Sequence, residues 1–105
     1  MGSFGLSNGD RENNSVIDRK IKEAKSLKRD QLIIDEAMFC ERCGLNNGFL
    51  DMSHIISVKE CKESGRAEIA YDVDNIELLC RPHHMDVESL TKVEREVMYF
   101  NKKIK

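Results

Sequence analysis

Two residue pairs of equal spacing, Cys40-Glu-Arg-Cys43 and Cys80-Arg-Pro-His83, carry the strongest chemical signal in this sequence. Two ligands three positions apart in a tight turn can point at one spot, and thiolates with an imidazole suit a borderline-soft ion. The four residues Cys40, Cys43, Cys80 and His83 read as a Cys3His site for structural Zn2+, because four protein ligands leave no open position for a substrate water. Four cysteines could also form two disulfides. The paired spacing, with no secretory segment ahead of it, favours a metal site in a reducing compartment. Cys61 stands outside both pairs and reads as a free thiol in a polar loop.

With His83 assigned to the metal, His54 and His84 remain, and both fall where a hairpin would bring them together. Asn75 lies on the expected returning strand, where its side-chain amide can fix the backbone or ring around His54.

These residues carry a resemblance. Cys40-x-x-Cys43, then Asp51-Met52-Ser53-His54-Ile55-Ile56, then Tyr71-Asp72-Val73-Asp74-Asn75 leading through Cys80 to His83-His84, resembles the His-Asn-His (HNH) endonuclease family over about Phe39 to Val93. The resemblance implies an α+β fold with a ββα-metal core: a two-stranded antiparallel hairpin and flanking helices with a structural zinc site. It also implies a metal-dependent endonuclease with His54 as general base, Asn75 as the residue orienting its loop and His84 as a ligand of a catalytic Mg2+ or Mn2+. Phosphodiester hydrolysis needs a deprotonated water on one side of phosphorus and charge neutralisation at the leaving oxygen on the other. A neutral imidazole and a hard divalent ion suit those tasks, and the products would be 5′-phosphate and 3′-hydroxyl ends. The chain departs from the family's commonest form at Ser53, which stands where many members have Asp or His. Asp51, on the same strand face as Ser53, is the nearest carboxylate that could reach the metal. A non-catalytic docking or nucleic-acid-binding module on the same scaffold is the alternative expectation.

Positioning these groups requires a particular set of elements. Residues 1–14 are rich in Gly, Ser and Asn and are expected to be disordered. Residues 15–105 read as a single domain: a basic amphipathic helix over 16–39 with Ser15 as N-cap, then a zinc and ββα core over 40–100. Strands are expected over 49–56 and near 70–79, joined by a polar loop over 59–68. A final helix from His83 would use Met85, Val87, Leu90, Val93, Val97 and Phe100 as one face, with Pro82 in its first turn.

The formal charge is −2, which argues against strong autonomous binding to nucleic acid. The first helix nevertheless gathers Arg19, Lys20, Lys22, Lys25, Lys28 and Arg29 against Asp18 and Glu23. Phosphate contacts are therefore expected from Arg19, Lys20, Lys22 and Lys25, with Arg66 and Arg81 nearer the site. The expected partners are double-stranded DNA and a larger protein that supplies specificity, since phosphate contacts alone select no sequence. No apolar run suffices to cross a bilayer. The expected location is the cytoplasm, and by the resemblance that of a bacterial or phage-infected cell.

Overall fold

In the computed structural model, residues 2–46 and 48–104 are described. The N-terminal segment expected to be disordered instead forms a short antiparallel hairpin, β1 (Ser3–Gly5) with β2 (Arg11–Asn13), Met1 lying outside the described residues. Its turn holds Asn8-Gly9, a strong hairpin signal. Gly9 takes φ +92°, the Asn8 side chain accepts the Asp10 N–H at 2.9 Å, and Leu6 N–H bonds Asp10 O at 2.8 Å.

Helix α1 spans Asn14–Ile34. It starts earlier than expected, with Asn13 rather than Ser15 at the N-cap, and ends five residues before the expected residue 39. Ile17, Ile21, Ala24 and Leu32 recur on one face and are buried. The stop is conformational. Glu36 adopts φ +54°, its N–H bonds Ile33 O at 3.1 Å, and Ala37 N–H bonds Leu32 O at 2.8 Å, which together form a Schellman closure. A non-glycine residue in that left-handed position costs about 1 kcal/mol, which the two bonds offset.

The central hairpin pairs β3 (Leu50–His54) with β4 (Ile76–Cys80), in the register Leu50↔Cys80, Ser53↔Glu77 and His54↔Ile76. Every residue of β4 is buried, whereas β3 is mostly half-buried. The returning strand is shorter than expected, because Ala67–Tyr71 and Val73–Asn75 form 3-10 turns ahead of it. The segment expected as a polar loop contains helix α2 (Val58–Glu63), capped by the Ser57 hydroxyl, which accepts the Glu60 N–H at 3.2 Å. Cys61 on α2 is fully buried, not exposed in a loop.

The expected last helix is two helices, α3 (Arg81–Glu88) and α4 (Lys92–Ile104). Pro82 occupies the first turn of α3, as expected. Thr91 and Glu94 restart the chain as a capping box, Glu94 N–H to Thr91 Oγ1 at 3.2 Å and Thr91 N–H to Glu94 Oε1 at 3.1 Å. The break rotates the apolar residues, so Val87 and Tyr99 are buried while Met85, Val93, Val97 and Phe100 are exposed.

The result is a small α+β molecule with two hydrophobic clusters. One gathers Ile17 and Ile21 of α1 with Ile55, Ile56, Cys61, Ala67, Ile69, Ala70 and Tyr99. The other gathers Cys40, Leu79, Cys80 and Val87 beneath the cysteine pairs. Among the described residues no helix is long and apolar enough to cross a membrane.

Candidate metal centre and histidine cleft

The two knuckles meet because Cys40-x-x-Cys43 is fastened along the outer edge of β4. Glu41 N–H bonds Leu78 O at 2.9 Å, the Glu41 carboxylate accepts the Leu78 N–H, and Lys28 of α1 holds the same carboxylate at 3.2 Å. Arg42 reaches the buried Glu77 at 3.0 Å. These contacts occupy backbone groups that an edge strand would otherwise expose. They also set the first cysteine pair against Cys80, where β4 turns into α3.

The ligating atoms of Cys40, Cys43, Cys80 and His83 all lie within 4.8 Å of one another. Cys43 and Cys80 sulfurs are 3.7 Å apart, Cys40 Sγ is 3.7 Å from His83 Nδ1, and Cys80 Sγ is 3.1 Å from the same nitrogen. Tetrahedral zinc, with bonds of about 2.3 Å to sulfur and about 2.0 Å to nitrogen, sets its ligands roughly 3.5–3.8 Å apart. The cluster therefore fits a metal such as zinc, with the Cys80–His83 pair needing only to open slightly. Burial opposes charge on Cys40, but the backbone N–H groups of Cys80, Cys43 and Arg42 outweigh it and lower its pKa to about 6. The Leu45 N–H favours the Cys43 thiolate, yet burial and the neighbouring Cys40 and Cys80 sulfurs push that thiol's pKa up. Crowded sulfurs of this kind are stabilised by a cation between them.

All four cysteines are free thiols. Cys61 lies apart from the cluster, its Sγ directed at Ile56 O at 3.7 Å, and burial raises its pKa to about 12.

His54 and His84 line one cleft of about 210 Å3, with Ser53, Ser57, Glu88 and Arg95. His54 Nε2 lies 2.8 Å from Ala70 O. A carbonyl only accepts, so Nε2 carries the proton and Nδ1 keeps its lone pair. Burial lowers the His54 pKa below the ordinary 6.5, the bond to Ala70 O opposing and the charge of Lys25 adding to the effect. Asn75, fully buried, accepts the Ile56 N–H at 2.8 Å through Oδ1 and donates Nδ2 to Ile56 O at 3.0 Å. Its own carbonyl takes the Ile55 N–H at 2.9 Å. It therefore holds the backbone immediately after His54, not the ring.

His84 sits between two carboxylates. Nδ1 is 3.1 Å from Asp51 Oδ2, and Nε2 is 3.0 Å from Glu88 Oε1. Asp51, His84, Arg81, Lys25 and Met85 line a wider, adjoining cleft of about 540 Å3. Ser53 is buried in the wall of the narrower one. No family model, curated protein or solved structure matches this chain.

The expected phosphate-contacting residues divide. Lys25 and Arg81 line the wider cleft. Lys20 is tied to Glu12 and lies over the Tyr71 ring, Arg66 is tied to Glu96, and exposed Arg19 pairs with Glu23 at 3.6 Å. Lys22 is exposed on α1 and lines neither cleft. Glu88 is a site residue that the sequence reading missed. Its signal is the spacing of four from His84, which on a helix makes neighbours.

Proposed function

We propose that this chain is a metal-dependent endonuclease of the His-Asn-His type, whose hairpin and α3 form a ββα-metal core and whose Cys3His cluster holds structural zinc. The observation that carries this reading is the state of His54. Its Nε2 proton is committed to Ala70 O, its pKa is lowered by burial, and it shares a cleft with a histidine clasped by carboxylates.

In this reading His54 Nδ1 takes a proton from a water beside the scissile phosphate. The water oxygen bonds to phosphorus as the bond from phosphorus to the 3′ oxygen breaks, and the 3′ oxygen takes a proton from solvent, leaving 5′-phosphate and 3′-hydroxyl ends. Asn75 keeps the His54 segment from shifting by occupying both polar groups of the Ile56 peptide. Lys25 and Arg81 supply positive charge where the backbone of DNA would lie. A divalent ion such as Mg2+ or Mn2+, when bound, neutralises charge at the phosphate and the leaving oxygen. His84 with Asp51 would hold it, Glu88 standing at the other ring nitrogen, while Ser53 is buried and lines only the narrower cleft. Among the described residues the Cys3His group is the one set of three or more ligating atoms gathered within 4.8 Å. Asp51 and Glu88 instead stand at opposite ring nitrogens of His84, at 3.1 and 3.0 Å.

Specificity in this reading comes from a protein partner or from the structure of the DNA. The decisive experiment is nicking of supercoiled plasmid at low salt by zinc-loaded wild type and His54→Ala, with and without Mg2+ or Mn2+. Metal-dependent nicking by wild type alone is expected. Equal nicking by His54→Ala would remove His54 from the chemistry. No nicking by wild type with zinc bound would favour the docking-module alternative.

A further inference from the structure

Phe49, the residue before β3, is 77% exposed and belongs to neither hydrophobic cluster. It meets the Arg81 guanidinium, whose carbon lies 5.3 Å from the ring centroid. Arg81 places its Nε 3.7 Å from Asp51 Oδ2, the oxygen that lies 3.1 Å from His84 Nδ1. Ring, cation, carboxylate and imidazole thus follow one another across the surface, with Lys25 lining the same cleft.

A large ring left in water forgoes the stabilisation of burial, and one backed by a guanidinium has a flat apolar face to offer. A nucleobase is the planar partner that fits such a face, and the nearby cations match the phosphate that comes with it. In an intact duplex each base face is already covered by its neighbours. An unpaired nucleotide has a face to give.

We propose that Phe49 is a stacking platform for an unpaired nucleobase whose strand runs past Arg81 and Lys25 toward His84. The site would then prefer nucleic acid with an unpaired nucleotide beside the cut, as in a single strand, gap or flap, over intact duplex. This specificity rests on the nuclease reading for its link to cleavage, while the stacking contact itself can be tested without turnover.

The chain contains no tryptophan, so Phe49→Trp introduces a single reporter at the proposed contact. In a zinc-loaded His54→Ala background, its emission would be followed during titration with single-stranded DNA, single-stranded RNA and a blunt DNA duplex. Anisotropy of the labelled strands would measure binding independently, with Phe49→Leu as the comparison. Expected are strong quenching by at least one single strand, a weaker response to the duplex, and single-strand binding weakened about tenfold by Phe49→Leu. The DNA and RNA arms report which sugar is accepted. Unchanged emission while strands bind, an equal response to blunt duplex, or binding of no strand at all would overturn the platform. Quenching of Phe49→Trp as expected, with wild type that binds single strands but never cuts, would sink the nuclease reading alone. Wild type whose nicking of gapped DNA is indifferent to Phe49→Leu would sink the platform alone.

Discussion

The side-chain amide of Asn75 brackets the peptide group of Ile56, accepting its N–H at 2.8 Å and donating to its carbonyl at 3.0 Å. The amide acts as one more residue of β-pairing just past the end of β3. Replacing Asn75 by Ala leaves a buried donor and a buried acceptor without partners, a cost of about 2–5 kcal/mol. Urea unfolding of zinc-loaded protein should show that loss in midpoint. Asn75→Asp should be as damaging, since it removes the donor and buries a charge. A shift below about 1 kcal/mol for either variant would contradict the bracket.

His54 should make stability, and in the nuclease reading activity, depend on pH in one direction. Its folded pKa is lowered by burial, against the opposing bond to Ala70 O, so the unfolded chain binds the proton more tightly. Stability from this group is therefore complete above about 6.5 and is lost as pH falls through the window between 6.5 and the lower folded value. An NMR titration of the zinc-loaded protein, without added Mg2+ or Mn2+, should show the His54 ring titrating below 6.5. The acid limb of the nicking profile should fall with it. A midpoint above 7 would reverse the assignment of its environment.

Asp51 and Glu88 hold opposite nitrogens of His84. Asp51→Asn should raise the Mg2+ or Mn2+ concentration needed for half-maximal nicking by about 10–100-fold, as expected for a ligand or its orienting neighbour. Zinc content should not change, because Asp51 is not among the clustered Cys3His residues. Glu88→Gln should move the same metal dependence by less if the ion takes the Asp51 side. The larger effect from Glu88→Gln would place it at the other nitrogen.

The cysteines should differ in chemistry as they do in place. Cys61 is fully buried and its pKa is raised to about 12 by burial, so it should resist alkylation in the native protein. Chelation should unfold the knuckles and expose Cys40, Cys43 and Cys80 to the reagent first. Mass spectrometry of labelled peptides would read the order. Cys61→Ala should retain one zinc per chain, whereas Cys40→Ala should lose it, and early labelling of Cys61 in zinc-loaded protein would contradict its burial.

The knuckles were legible because ligand spacing is a local property, and the central hairpin because turn residues bound its first run, though β3 stops at His54, short of the expected residue 56. Cys40, Cys43, Cys80 and His83 converge as their spacing implied, and His54 and His84 share a cleft. Other features were written in the sequence but passed over. Asn8-Gly9 signals the first hairpin, Ser57-x-x-Glu60 the start of α2, and Thr91-x-x-Glu94 the restart of α4. The end of α1 was hidden, because a glutamate in the left-handed region is not what a sequence advertises as a stop. Nor does any spacing reveal that Glu41 ties a knuckle to a strand edge and to Lys28, since those partners meet only in three dimensions. The direction of the His54 pKa shift was equally hidden, because it arises from burial, which outweighs the opposing bond to Ala70 in a distant turn.

The metal cluster draws its ligands from both sides of the histidine-bearing hairpin, and this sets an order of events during synthesis. Cys40 and Cys43 emerge from the ribosome first and can half-coordinate an ion, its other positions taken by water. Those positions close only after Cys80 and His83 have followed, by which time His54, Asn75 and both strands are also out. A nascent or prematurely terminated chain ending before residue 80 would therefore hold zinc loosely and lack His84. Closure of the cluster therefore requires a polypeptide translated through its second knuckle, and in the nuclease reading His84 arrives with that knuckle.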